Sequence, residues 1–145
     1  MTGEPAPLLE MARHLDQARI DRYARVSGDR NPLHVDPAFA ARTQFGGTVA
    51  HGMLVLAYAC EALLRVYGRP WLAGGRLRAR FRAPARPGET LTVRVLPRRG
   101  AAGQTACLVE VLDGKGQVLL SVEAEAPAPA GSPATLPQKG GDTPG

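Results

Sequence analysis

The segment from Thr48 to Tyr67 has no polar face. Val49, Met53, Leu56, Tyr58, Leu63 and Val66 point to different sides of a helix, and Gly68 and Pro70 stop it. A helix of this kind is covered on most sides by other structure. The covering material is found after Gly75, where the hydrophobic period changes from helical to alternating. Leu77, Ala79 and Phe81 alternate with Arg76, Arg78, Arg80 and Arg82; Leu91, Val93 and Val95 alternate with Thr90, Thr92 and Arg94. Thr105–Leu112 and Gln117–Ala126 complete the strands, joined by Asp113-Gly114-Lys115-Gly116, a hairpin signal. The fold class expected is therefore α+β: helices first, then an antiparallel sheet, with one long apolar helix lying against it.

Ahead of that helix, Asp16 is placed to cap a first one, and Ile20, Tyr23, Ala24 and Ser27 share a face of it. Gly28 ends it. A loop, Asp29–Val35, leads to Asp36-Pro37, a cap followed by proline at the first helical position, and a short helix to about Thr43. Gly46-Gly47 breaks the chain again. Residues 1–126 are expected to form a single domain, with residues 1–6 loose. Residues 127–145, rich in Pro and Gly without hydrophobic period, are expected to be a disordered tail.

Composition removes several classes of function. Hydrophobic residues are 44% of the chain but aromatics only 5%, so the core is aliphatic. Cys60 and Cys107 have neither a disulfide nor a metal-site pattern, and the N-terminus lacks a basic start before an apolar stretch; both features lead to the expectation of a cytoplasmic protein. The longest apolar run, Met53–Cys60, is too short to span a bilayer. The net charge of +5 and pI near 9.9 fit either a solvated arginine-rich surface or a phosphate-bearing partner. No aromatic residues interleave with the arginines to stack on bases, so no nucleic-acid partner is expected.

The chemistry is concentrated in Ser27-Gly28-Asp29-Arg30-Asn31-Pro32-Leu33-His34 and, further on, His51-Gly52-Met53. A carboxylate, an amide and an imidazole fall within one short loop that Pro32 stiffens. Asp29 and His34 can divide the giving and taking of a proton near neutral pH. Gly52 lies near the start of the apolar helix, where free N–H groups can stabilise an oxygen that gains negative charge. The same residues also admit a bland reading: Asp29 as a helix terminator and Asn31-Pro32 as a turn. Asp36 is better explained as a helix cap than as a partner of His34 and His51 in a metal site, so no metal is expected. Arg78, Arg80 and Arg82 share one strand face, as a solvated surface or as a contact for substrate phosphates.

The string SGDRNPLHVDPAFAARTQFGGTVAHGM closely resembles the signature of the MaoC-like, or (R)-specific enoyl-CoA hydratase, family: Gly-Asp-x-Asn-Pro-x-His followed, at the interval separating His34 from His51, by His-Gly-Met. The similarity continues into RLRARFRAPARPGETLTVRV and spans about residues 15–125. The resemblance implies a hot-dog fold, in which the sheet wraps the central helix, and a homodimer formed by joining two sheets. It implies Asp29 and His34 as the catalytic pair, the Gly52 N–H as the oxyanion donor, and Asn31 and His51 as supporting residues. Cys60 falls where some members place a serine. The implied reaction is reversible hydration of trans-2-enoyl thioesters to (R)-3-hydroxyacyl thioesters, with no cofactor. Coenzyme A is favoured as the thiol carrier. A carrier-protein dehydratase is the nearest alternative, and a non-catalytic acyl-thioester-binding subunit a further one.

Overall fold

The computed structural model describes residues 3–129. Strand β1 (Leu9–Leu15) is followed by helices α1 (Gln17–Ser27), α2 (Pro32–Val35), α3 (Pro37–Ala41), α4 (Gly52–Tyr67) and α5 (Arg69–Gly74). Strands β2 (Arg76–Phe81), β3 (Glu89–Arg98), β4 (Gln104–Leu112) and β5 (Val118–Pro127) complete the chain. The five strands form one antiparallel sheet in the order β1-β3-β4-β5-β2.

A strand therefore precedes the helices, against the order expected from the hydrophobic pattern. Leu9, Met11 and Leu15 alternate inward as a strand requires, but Arg13 shares their face and masks the period. Its guanidinium is neutralised there by Glu61 of α4, with Nε donating to Oε2 at 3.2 Å, and Glu61 also accepts from Arg65 at 3.0 Å. This pairing raises the Arg13 pKa and lowers that of Glu61.

The inward residues line up across the strands. Val95, Val109, Val122 and Ala79 form one row, and Met11, Val93, Val111, Leu120 and Phe81 the next. Against these rows α4 places Leu54, Val55, Tyr58, Ala59, Ala62 and Leu63, all buried. Each leucine or valine buried here contributes about 1.5–3 kcal/mol through the area it removes from water.

Only one side of α4 is covered in the single chain. Met53 (58% exposed), Ala57 and Leu64 (41% exposed), with Cys60 half-buried between them, form an apolar stripe on the opposite side. The edge strand β2 is similarly open, with Phe81 55% exposed although its row faces inward.

The boundaries of α4 also differ from the sequence pattern. The helix starts at Gly52, because the preceding strap is held by bonds to other segments: the Val49 carbonyl, which a longer helix would offer to the Met53 N–H, accepts from His34 Nδ1 at 2.8 Å, and the Ala50 N–H donates to Ala85 at 2.8 Å. Gly68, at φ +66°, ends α4, yet the chain turns at once into α5, since Pro70 is tolerated in a first turn. Strand β5 runs to Pro127, and the Ala128 N–H still bonds to Gly103 O at 2.9 Å. Of the expected tail, residues 130–145 lie outside the described residues.

Candidate active site

The site begins where α1 stops. Asp16 caps that helix through the Arg19 N–H at 2.8 Å, and Gly28 closes it at φ +79° with its N–H on Ala24 O. The left-handed turn favours glycine and turns the chain away from the helix axis. Asp29 follows, exposed, its Oδ1 accepting from the Asn31 N–H at 3.2 Å. Asn31 caps α2 by accepting from the Leu33 N–H at 3.0 Å, and Pro32 opens that helix. The single turn of α2 lifts His34 back over the loop. Asp36 caps α3 through the Phe39 N–H at 3.1 Å, as expected for it.

Residues 48–51 form a buried strap beneath this loop. The Val49 carbonyl lies 2.8 Å from His34 Nδ1. A carbonyl oxygen only accepts, so His34 Nδ1 carries the hydrogen and Nε2 of the neutral ring is left with a free lone pair. His51 is 2% exposed, and its Nε2 lies 2.9 Å from the backbone carbonyl of Asp29, which by the same reasoning makes Nε2 the donor. The two imidazoles stack with centroids 3.9 Å apart and planes at 27°, while Tyr23 packs on His51 at 4.8 Å. Side-chain ligand atoms of Asp29, His34 and His51 all lie within 4.8 Å of one another. Two of the four ring nitrogens are already donors to carbonyls, His34 Nδ1 and His51 Nε2. The ring nitrogens left to take a proton or bind a metal are His34 Nε2 and His51 Nδ1.

Gly52 is the first residue of α4, and among the described hydrogen bonds neither its N–H nor that of Met53 has an acceptor. A side chain at position 52 would stand 3.0 Å from Cε1 of Phe81, whose ring lies against the glycine. Gly52 thus keeps the helix start low and open beneath an aromatic wall. Phe81 is visible in the sequence only as one inward member of an alternating strand. Gln17 is a second residue that the sequence reading passes over: its Nε2 donates to the His34 carbonyl at 2.8 Å, and its Oε1 accepts from Thr48 Oγ1 at 2.6 Å. It ties the start of α1 to both halves of the site. No periodic or motif signal marks it.

Cys60 lies two turns further along α4, about 12 Å of helical rise beyond Gly52, and is not part of the Asp29–His34–His51 cluster. Burial raises its thiol pKa. Arg78, Arg80 and Arg82 project from the face of the sheet opposite α4. Arg78 stands across from Glu123, Arg80 across from Ser121, and Arg82 Nε donates to Ser121 Oγ at 2.9 Å. Within one chain they line a shallow groove shared with Glu110 and Glu123, on the side of the sheet away from the cluster.

A five-stranded antiparallel sheet carrying one long apolar helix is the hot-dog arrangement of the R-hydratases. The chain belongs to the MaoC like domain family, whose match covers residues 2–115. It is 32% identical over 130 residues to a 3-hydroxybutyryl-CoA dehydratase of Methylorubrum extorquens, covering 80% of each chain. It is 40% identical over 93 residues to the enoyl-CoA hydratase ChsH3 of Mycobacterium tuberculosis, covering 63% of this chain but only 32% of that one. Among solved structures it is similar to the unliganded R-hydratase PhaJ1 of Pseudomonas aeruginosa, with a TM-score of 0.70, 32% identity, and coverage of 82% and 79%. The family is one of enzymes, and these relatives are named as hydro-lyases.

Proposed function

We propose that this chain is an (R)-specific hydratase/dehydratase that interconverts trans-2-enoyl and (R)-3-hydroxyacyl thioesters, with coenzyme A the favoured thiol carrier. The observation that carries the reading is the His34 ring, which is held by Nδ1 to the Val49 carbonyl and leaves Nε2 free, in a cluster whose Asp29, His34 and His51 side-chain ligand atoms lie within 4.8 Å of one another. In hydration, the pair removes a proton from water as its oxygen attacks C3, and returns a proton to C2. Negative charge passes through the double bond to the thioester oxygen, which the Gly52 N–H stabilises. Asn31 shapes the loop. The family and the names of its relatives support the same chemistry. Purified protein incubated with crotonyl-CoA should bleach the absorbance of the conjugated thioester and yield (R)-3-hydroxybutyryl-CoA. The same assay with an acyl-carrier-protein thioester tests the alternative carrier, and complete inactivity on both would identify a binding subunit.

The working form is proposed to be a homodimer in the cytoplasm. Support for the dimer comes from the apolar stripe Met53–Ala57–Cys60–Leu64 and from the open edge of β2, where a second copy would continue the sheet and cover apolar surface. No helix among the described residues is long and apolar enough to cross a membrane.

A further inference from the structure

We infer that His51 is a positioning residue that holds Asp29 and His34 in register with each other. The inference rests on the hydratase reading and adds a role to a side chain that need not touch substrate. Thr48 and His51 are the buried polar residues among those described. Burying an imidazole is costly unless its nitrogens are hydrogen-bonded, and His51 satisfies only one of them: Nε2 donates to the Asp29 carbonyl, whereas Nδ1 is buried without a partner. An apolar ring would fill this space without leaving a nitrogen orphaned. What the imidazole adds is the donor.

That donor is the link that the Asp29 turn needs. Within the turn, the Asp29 N–H reaches Ser27 Oγ and the Asn31 N–H reaches Asp29 Oδ1, both at 3.2 Å and both local. Among the described residues, the hydrogen bond that ties residues 28–31 to the buried strap is the one from His51. The ring face of the same side chain supports the His34 ring at 3.9 Å, and Tyr23 supports His51 in turn. Val49, two residues earlier on the extended strap, fixes His34 Nδ1, and Gly52, the next residue, offers its N–H. One short run of backbone thereby sets the positions of carboxylate, imidazole and oxyanion donor together. Such support is worth about 10–100-fold in activity where it orients groups that react.

The test compares two substitutions that divide the functions of the ring. His51→Gln keeps a side-chain N–H donor and loses the ring; His51→Phe keeps a flat ring and loses the donor. With crotonyl-CoA, Phe is expected to lower kcat by about 30-fold with KM within about threefold, and Gln to stay within about fivefold of wild type. Thermal stability should not follow this order, since Phe suits a buried apolar site better. If activity instead follows stability, or if Gln falls as far as Phe, His51 is only packing and the inference fails. A second readout needs no turnover. The chain has three histidines, so long-range nitrogen–proton NMR on ¹⁵N-histidine protein can resolve each ring. Wild type should show opposite neutral tautomers, Nδ1–H for His34 and Nε2–H for His51. Finding Nδ1–H on His51 overturns the inference even in an active hydratase. A protein with both tautomers as expected but without hydratase activity would overturn the proposed function instead.

Discussion

Replacing Asp29 by Asn should separate chemistry from folding. The Asp29 side chain is exposed and makes a single hydrogen bond, from the Asn31 N–H at 3.2 Å, which the amide oxygen of Asn can still accept. The link from His51 goes to the backbone carbonyl and is untouched. The change in stability should therefore stay within about 0.5 kcal/mol, the usual range for a surface substitution. Activity should fall by at least ~100-fold in kcat, the low end for removing a positioned acid or base, or about 2.7 kcal/mol in the barrier. His34→Ala should lose as much activity but also some stability. It removes the Nδ1–H donor to Val49 O at 2.8 Å and the stack on His51, at a cost of about 1–2 kcal/mol. The double variant should be scarcely slower than either single one, because groups that act as a unit fail together. The assay is hydration of crotonyl-CoA with chiral analysis of the product, alongside a thermal melt. Near-normal turnover by Asp29→Asn with unchanged melting would refute the assignment, and an (S) product would refute the proposed (R) specificity.

Arg78→Ala and Arg80→Ala should leave kcat unchanged. Any rise in KM should shrink as salt increases, and a selective loss of kcat would show that these arginines act at the reacting atoms. Glu61→Gln should destabilise the fold by about 0.5–1 kcal/mol near neutral pH, given that Arg13 and Glu61 remain partly exposed. Because Arg13 lowers the Glu61 pKa, this contribution is complete above the ordinary glutamate range and is lost as the pH falls through the lowered value; denaturant melts at pH 7 and near pH 3 should show the penalty shrink. Sedimentation at micromolar concentration should find a dimer, and a monomer with full activity would refute the homodimer as the working form.

Much of this architecture was legible because its parts are local. Gly28, Asn31-Pro32 and Asp36-Pro37 act as the stop and caps that their residue types suggest, and the Asp113–Gly116 turn joins β4 and β5. β1 was not legible, since an arginine on its inward face makes sense only once Glu61 is seen across from it. The start of α4 differs for a related reason: Val49 and Ala50 are apolar enough to extend the helix, and their long-range hydrogen bonds to His34 and Ala85 keep them out of it. Asp29, His34 and Gly52 stood out by motif. Phe81 and Gln17 did not, because what matters in them is a contact with a residue far along the chain.

Strands β3, β4 and β5 form a meander whose neighbours in space are neighbours in sequence, whereas β1 pairs with β3, Leu9 opposite Val95, across most of the described chain. Closing so long a loop carries an entropic cost that the meander avoids, and contacts of that separation slow folding. The loop with Asp29 and His34 lies between β1 and α4, inside the long segment that this pairing closes. A chain emerging from synthesis can complete this sheet only once β3, β4 and β5 are out, long after β1 has been made. The longest-range strand pairing among the described residues thus encloses the candidate site, and a truncated chain that lacks β3 should leave β1 without its partner.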